Sequence, residues 1–175
     1  MVSILLAWEL GGGLGHVTQL VPLAKGLQSA GHQVFVALRE LPCAAGLLDN
    51  LGIALLQSPY KPPTDNPPIA TPRNFAHVLW NAGFGDPAEL QVLTEAWSDL
   101  LDSVNPDMIV FDHAPTALLA ARGRKVKRVV IGNGFCCPPD CSPLSDLRSW
   151  MPPEAEALQE AERHVLDCMN RVLEH

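Results

Sequence analysis

Apolar residues in this chain follow two rhythms. Ser3-Ile4-Leu5-Leu6-Ala7-Trp8, Val34 to Leu38, Ile53 to Leu56 and Met108 to Phe111 are short continuous apolar runs, the pattern of strands covered on both faces in a parallel sheet. Lys127 to Ile131 predicts a fifth strand, ending in Gly132-Asn133-Gly134. Between the runs the spacing changes. Val17, Leu20, Ala24, Leu27 and Ala30 recur near helical spacing while Lys25 and Gln28 take other faces, which predicts a helix that stops at Gly31. Further helices are predicted from Leu41 to Leu51, with Pro42 in the first turn and Gly52 just past the end, and from Asn74 to Phe84 through Phe75, Val78, Leu79 and Ala82. Asp86-Pro87 is an N-cap and N1 pair opening a helix to Val104, Pro115 opens one that stops at Gly123, and the last runs from Glu154 to about Val172.

Strands alternating with helices define an α/β fold, an open, Rossmann-like parallel sheet of about five or more strands with helices on both faces. Right-handed crossovers make the expected order 3-2-1-4-5, so strands 1 and 4 are neighbours where the winding reverses. The crevice outside their carboxyl ends is where such sheets bind ligands. His16 follows strand 1 and Asp112 ends strand 4, so two residues 96 positions apart are expected to face one another. From Ser58 to Pro72 six of fifteen residues are proline, which excludes helix and central strand and predicts an extended surface loop. Cys136 to Pro153 is proline-rich and irregular as well.

Composition narrows the function classes. At 175 residues, 47% apolar and 18% charged, the chain reads as one globular domain over residues 1–172. A formal charge of -7 and a pI near 5.2 disfavour nucleic acid and membrane surfaces as partners. The apolar runs fall short of the ~20 residues that span a bilayer, and Met1 leads into a strand without a basic leader, so no transmembrane segment and a cytoplasmic location are expected. Five cysteines without a secretory signal read as reduced thiols. Adjacent Cys136 and Cys137, with Cys141, match zinc-ligand spacing poorly, and no metal is expected. Leu173-Glu174-His175 reads as the remnant of a histidine tag, which would make the chain a fragment.

The candidate chemistry lies in the glycine-rich turn of Gly11, Gly12, Gly13 and Gly15 after strand 1. A nucleotide-hydrolase phosphate loop needs a Gly-Lys-Ser/Thr ending, and no lysine precedes Lys25. A dinucleotide fingerprint can be laid on Gly11 and Gly13 with Glu40 as the ribose-binding acid, but His16 occupies the place of its third glycine. A nicotinamide-binding oxidoreductase domain therefore stands as an alternative.

Gly13-Leu14-Gly15-His16, fifteen residues before Gly31-His32-Gln33-Val34, resembles the opening of the GT-B nucleotide-sugar glycosyltransferases, whose amino-terminal half carries a Gly-x-Gly-His turn and a later Gly-His-x-Val. Pro106-Asp107-Met108-Ile109-Val110-Phe111-Asp112 resembles their Pro-Asp-x-x-Val-x-Asp strand, and Val130 to Phe135 the strand and turn that follow. The likeness runs to about Phe135 and is closest to the UDP-glycosyltransferase-like branch. One departure is Gln19, where many relatives have a proline; Pro22 comes later and is tolerable only if the regular helix begins near Thr18 or Gln19, leaving His16 on the turn.

The resemblance implies inverting transfer of a sugar from a nucleotide-diphosphate donor, a UDP-sugar in this branch, to a hydroxyl of a small-molecule or lipid acceptor. His16 would take the acceptor proton and Asp112 would orient its imidazole. Gly13, Leu14 and Gly15 would hold the leaving diphosphate, with Phe84, His113, Gly134 and Phe135 as further substrate contacts. No cofactor is implied beyond the nucleotide sugar as co-substrate. Most donor contacts would come from a carboxyl-terminal domain, so the chain alone would be inactive. A non-catalytic subunit of a split glycosyltransferase is a further alternative. Plainer readings stand beside these: His16 as a helix-start residue, Asp112 as an acceptor for helix amides near Pro115, and Trp80, Phe84, Trp97 and Phe135 as core, with His77 left open between the two readings.

Overall fold

The computed structural model describes residues 1–48 and 52–174. The end of the second predicted helix, residues 49–51, and His175 of the proposed tag remnant lie outside the described residues. The chain divides into two compact units, one of Met1–Tyr60 with Thr94–Gly132 and one of Lys61–Leu93 with Asn133–His175.

The first unit holds a five-stranded parallel sheet in the order β3-β2-β1-β4-β5, the order expected from the sequence. The strands are β1 (Ser3–Trp8), β2 (Gln33–Leu38), β3 (Ala54–Gln57), β4 (Met108–Asp112) and β5 (Lys127–Ile131). Helices α1 (Leu14–Ser29), α2 (Pro42–Leu48), α4 (Pro87–Val104) and α5 (Pro115–Ala120) connect them; α3 (Phe75–Leu79) and α6 (Ala155–Leu173) lie in the second unit. The central strand β1 pairs with β2 and β4, and its last residue, Trp8, sits opposite Asp112 at the end of β4.

Because successive side chains on a strand point to opposite faces, β1 supplies two cores. Ile4, Leu6 and Trp8 pack with Val17, Leu20, Val21 and Ala24 of α1. Leu5 and Ala7 pack with Trp97 and Leu101 of α4 and Ala117 and Ala120 of α5 on the other face. Both sides of β1 are fully covered, which explains its uninterrupted apolar run. The edge strand β5 differs: Lys127 to Val130 are all exposed, the charged Lys127 and Arg128 beside Val129 and Val130, which are 40% and 49% exposed.

Helix α1 begins at Leu14, four or more residues before the start inferred from Pro22, and carries Pro22 in its interior. A proline there removes one helical hydrogen bond, a cost of about 3 kcal/mol. Burial of Val17, Leu20 and Val21 against the sheet contributes roughly 1.5–3 kcal/mol each and outweighs it. His16 therefore stands in the first turn of α1 rather than ahead of it. Gly13 caps that turn at φ 78 and ψ -174, a conformation open to glycine.

In the second unit, the helix expected over Asn74 to Phe84 is α-helical only to Leu79 and widens into a π-type turn over Trp80–Phe84, where Gly83 adopts φ 109. Arg73, 2% exposed, pairs with Asp146 and donates to the Pro152 carbonyl at 2.5 Å. Asn74 accepts the His77 amide at 3.0 Å, and its side-chain amide donates to Glu162 at 3.0 Å. The irregular, proline-rich stretch predicted from Cys136 is thus fastened by part-buried polar bonds, to Arg73 just ahead of α3 and to Glu162 of α6.

Candidate active site at the carboxyl ends of β1 and β4

Alternation along β4 places Asp112 on the face of Val110, which packs in the α1 core, and α1 brings His16 over the same face. Asp112 is 1% exposed at the side chain, and its Oδ2 lies 2.9 Å from His16 Nδ1. A carboxylate can only accept here, so the bond fixes the proton on Nδ1 and leaves the Nε2 lone pair free to accept. Two rings stack on the imidazole. Trp8 stacks on it at 5.2 Å between centroids and His113 at 5.9 Å.

Nε2 faces the glycine turn. A Cβ on Gly11 would come within 2.7 Å of it, so glycine, here at φ 87, keeps open the space in front of the basic nitrogen. Arg39 from the end of β2 donates to the Gly11 carbonyl and lies 4.9 Å over the Tyr60 ring, which brings a fixed positive charge to the turn. Leu14, 55% exposed, and its neighbours Gly13 and Gly15 are open to solvent at the start of α1. Helix N-termini present unpaired N–H groups and favour negative charge. Glu40 stands 4.0 Å from where a Gly12 Cβ would lie, near the position the dinucleotide fingerprint gives its acid.

His113 is also at the site, in a left-handed conformation at φ 48. Burial above all, and then the neighbouring His16, push its pKa down to about 4, so it is neutral at neutral pH and a poor base. Its carbonyl accepts the Leu10 amide at 2.9 Å. The role of helix-amide acceptor that Asp112 could have taken belongs instead to Glu9. Its carboxyl is 0% exposed and accepts from the Thr116 amide at 2.9 Å and the Ala117 amide at 3.3 Å, with the Thr116 hydroxyl on the other oxygen. Desolvation raises its pKa to about 7 against the lowering effect of those bonds. Sequence reasoning passed over Glu9, although an acid directly after a doubly buried strand is itself a signal.

The other expected site residues lie in the second unit. Phe84 is a correction: at 1% exposure it is core and offers a ligand no surface. Gly134 is exposed and Phe135 is 44% exposed, its amide donating to Asn133 Oδ1 at 2.9 Å. His77 accepts the Arg73 amide at Nδ1 and is held below its ordinary pKa, mainly by burial. Among the described residues no group of three or more His, Cys, Asp or Glu side chains is arranged to hold a metal ion.

No family model and no curated protein sequence matches the chain. Solved structures do. The chain is similar to the glycosyltransferase SsfS6 of Streptomyces sp. SF2575, with TM-score 0.57 and 15% identity over 98% of this chain and 46% of that one. SnogD of Streptomyces nogalater matches with TM-score 0.53 and 19% identity, covering 98% of this chain and 41% of that one. UGT73P12 of Glycyrrhiza uralensis matches with TM-score 0.51 and 16% identity, covering 95% and 41%. The chain has the Rossmann-like α/β fold of one half of the GT-B glycosyltransferases. It spans 41–46% of the length of these three structures. Among the described residues no helix is long and apolar enough to cross a membrane.

Proposed function

We propose that this chain is the acceptor-activating half of an inverting nucleotide-sugar glycosyltransferase. The observation that carries the reading is the 2.9 Å bond between His16 Nδ1 and the buried Asp112 carboxylate, with Nε2 turned toward the open glycine turn. The acceptor hydroxyl oxygen attacks the anomeric carbon, the bond from that carbon to the diphosphate breaks, and the hydroxyl proton passes to Nε2. Asp112 stabilises the imidazolium so formed, and the trapped Nδ1 proton keeps the ring in the productive tautomer. The exposed amides at the start of α1 favour the departing diphosphate, and Arg39 adds positive potential beside them.

The donor is a nucleoside-diphosphate sugar. SsfS6 was solved with thymidine diphosphate, so thymidine and uridine diphosphate sugars are the first to test. The base of the nucleotide and most of the sugar bind to a second domain of the kind that the matched structures carry in their other half. The test is nucleoside diphosphate release by the protein joined to that domain, comparing wild type with His16→Ala. Loss of base catalysis should lower turnover by roughly 10²–10⁴-fold, and unchanged turnover would remove the histidine from the mechanism.

A further inference from the structure

The pairing of β1 with β4 ends at Trp8 and Asp112, yet the imidazole and carboxylate that meet across the cleft hang from segments beyond or at that limit. Alternation turns Trp8 toward α1 and the next residue, Glu9, toward α5. The two consecutive side chains hold the two sides of the site. Trp8 stacks on the His16 ring, while the Glu9 carboxyl receives the amides of Thr116 and Ala117 and shares a hydrogen bond with the Thr116 hydroxyl. On either side of Glu9 the chain is strapped again: Trp8 Nε1 donates to the Leu10 carbonyl at 2.6 Å and the Leu10 amide donates to the His113 carbonyl at 2.9 Å.

We propose that Glu9 is a positioning residue: its buried carboxyl ties the exit of β1 to the start of α5 and so holds the His16 imidazole on the Asp112 carboxylate. The inference rests on the reading of those two residues as the reacting pair. A packing role alone would be met by an apolar side chain, because burying a carboxyl costs free energy that only its bonds return. The three hydrogen bonds of the Glu9 carboxyl all cross from one exit segment to the other, and the His16–Asp112 pair lies between the same two segments.

The experiment reads the pair directly. In protein carrying isotope-labelled histidine, the Nδ1–H of His16 bonded to Asp112 should give a downfield proton resonance that exchanges slowly with water, assigned by its loss in His16→Gln. Glu9→Gln keeps acceptors for both amides and a donor for Thr116, and should retain the signal. Glu9→Ala should lose it while the amide spectrum stays dispersed. Thr116→Val removes one bond and leaves the two amides, so it is the milder variant and decides the matter if Glu9→Ala does not fold; exchange of the ring proton should speed up roughly fivefold. An unchanged resonance in folded Glu9→Ala, an unchanged exchange rate in Thr116→Val, or its loss in folded Glu9→Gln would each overturn the proposal. A purely structural role would lower stability without moving this resonance. The readout needs no substrate, so a failure to find sugar transfer would remove the function proposed above and leave this result standing.

Discussion

Replacing Glu9 by Gln should make the protein less sensitive to pH and more stable in mild alkali. The carboxyl is wholly buried, and its pKa rises from 4.5 to about 7 on folding, chiefly through desolvation. The native state therefore holds a proton that the unfolded chain has released between those values, so this group's contribution is fully present below about pH 4.5 and is lost as pH rises through 7. At ~1.4 kcal/mol per pH unit the loss amounts to about 3 kcal/mol. Gln resembles the protonated acid in shape and keeps the same bonds without a titration. Urea unfolding at about pH 5 and about pH 8.5 measures the difference between the two proteins, in which every other titrating group cancels. Near-equality at the lower pH and an advantage of about 2–3 kcal/mol for Glu9→Gln at the higher one are expected. A difference that does not change with pH, or a variant weaker at the higher pH, would refute the account of Glu9.

Three further outcomes follow from the same contacts. His113 has its pKa lowered by burial to about 4, so its contribution to stability is present above pH 6.5 and lost as pH falls toward 4; His113→Asn, which tolerates the left-handed φ of 48, should flatten that acid limb in the same unfolding assay. Gly11→Ala strains a backbone at φ 87 and sets a methyl 2.7 Å from His16 Nε2, so thermal melting should show a loss of roughly 1–3 kcal/mol, and the His16 ring resonances should shift. Arg73→Met leaves Asp146, Glu154 and the Pro152 carbonyl without their guanidinium, and limited proteolysis should cut within residues 142–153 at least several-fold faster than in wild type.

Much of the first unit was legible because its physics is local and repetitive. Strands covered on both faces write themselves as apolar runs, and handedness then places β1 beside β4, which is why His16 and Asp112 could be matched across 96 positions. The start of α1 misled because a rule about proline was set against helix propensity alone, while the sheet-facing residues Val17, Leu20 and Val21 decided the outcome. Phe84 looked like a cleft residue from its place at an element end. The π-type turn at Gly83 carries it into the interior instead, and no periodicity announces such a turn. Glu9 and Arg73 were missed for a shared reason: each is buried by virtue of partners far along the chain, and a pattern of hydrophobic positions carries no record of them.

The central claim is that the His16 imidazole removes the acceptor proton. Chemical rescue tests it most directly, with His16→Gly in the protein joined to a donor-binding domain of the proposed kind and added imidazole in place of the missing ring. The account predicts that nucleoside diphosphate release, nearly abolished in the variant, returns with rising imidazole and saturates. Wild-type turnover by His16→Gly without imidazole would contradict it.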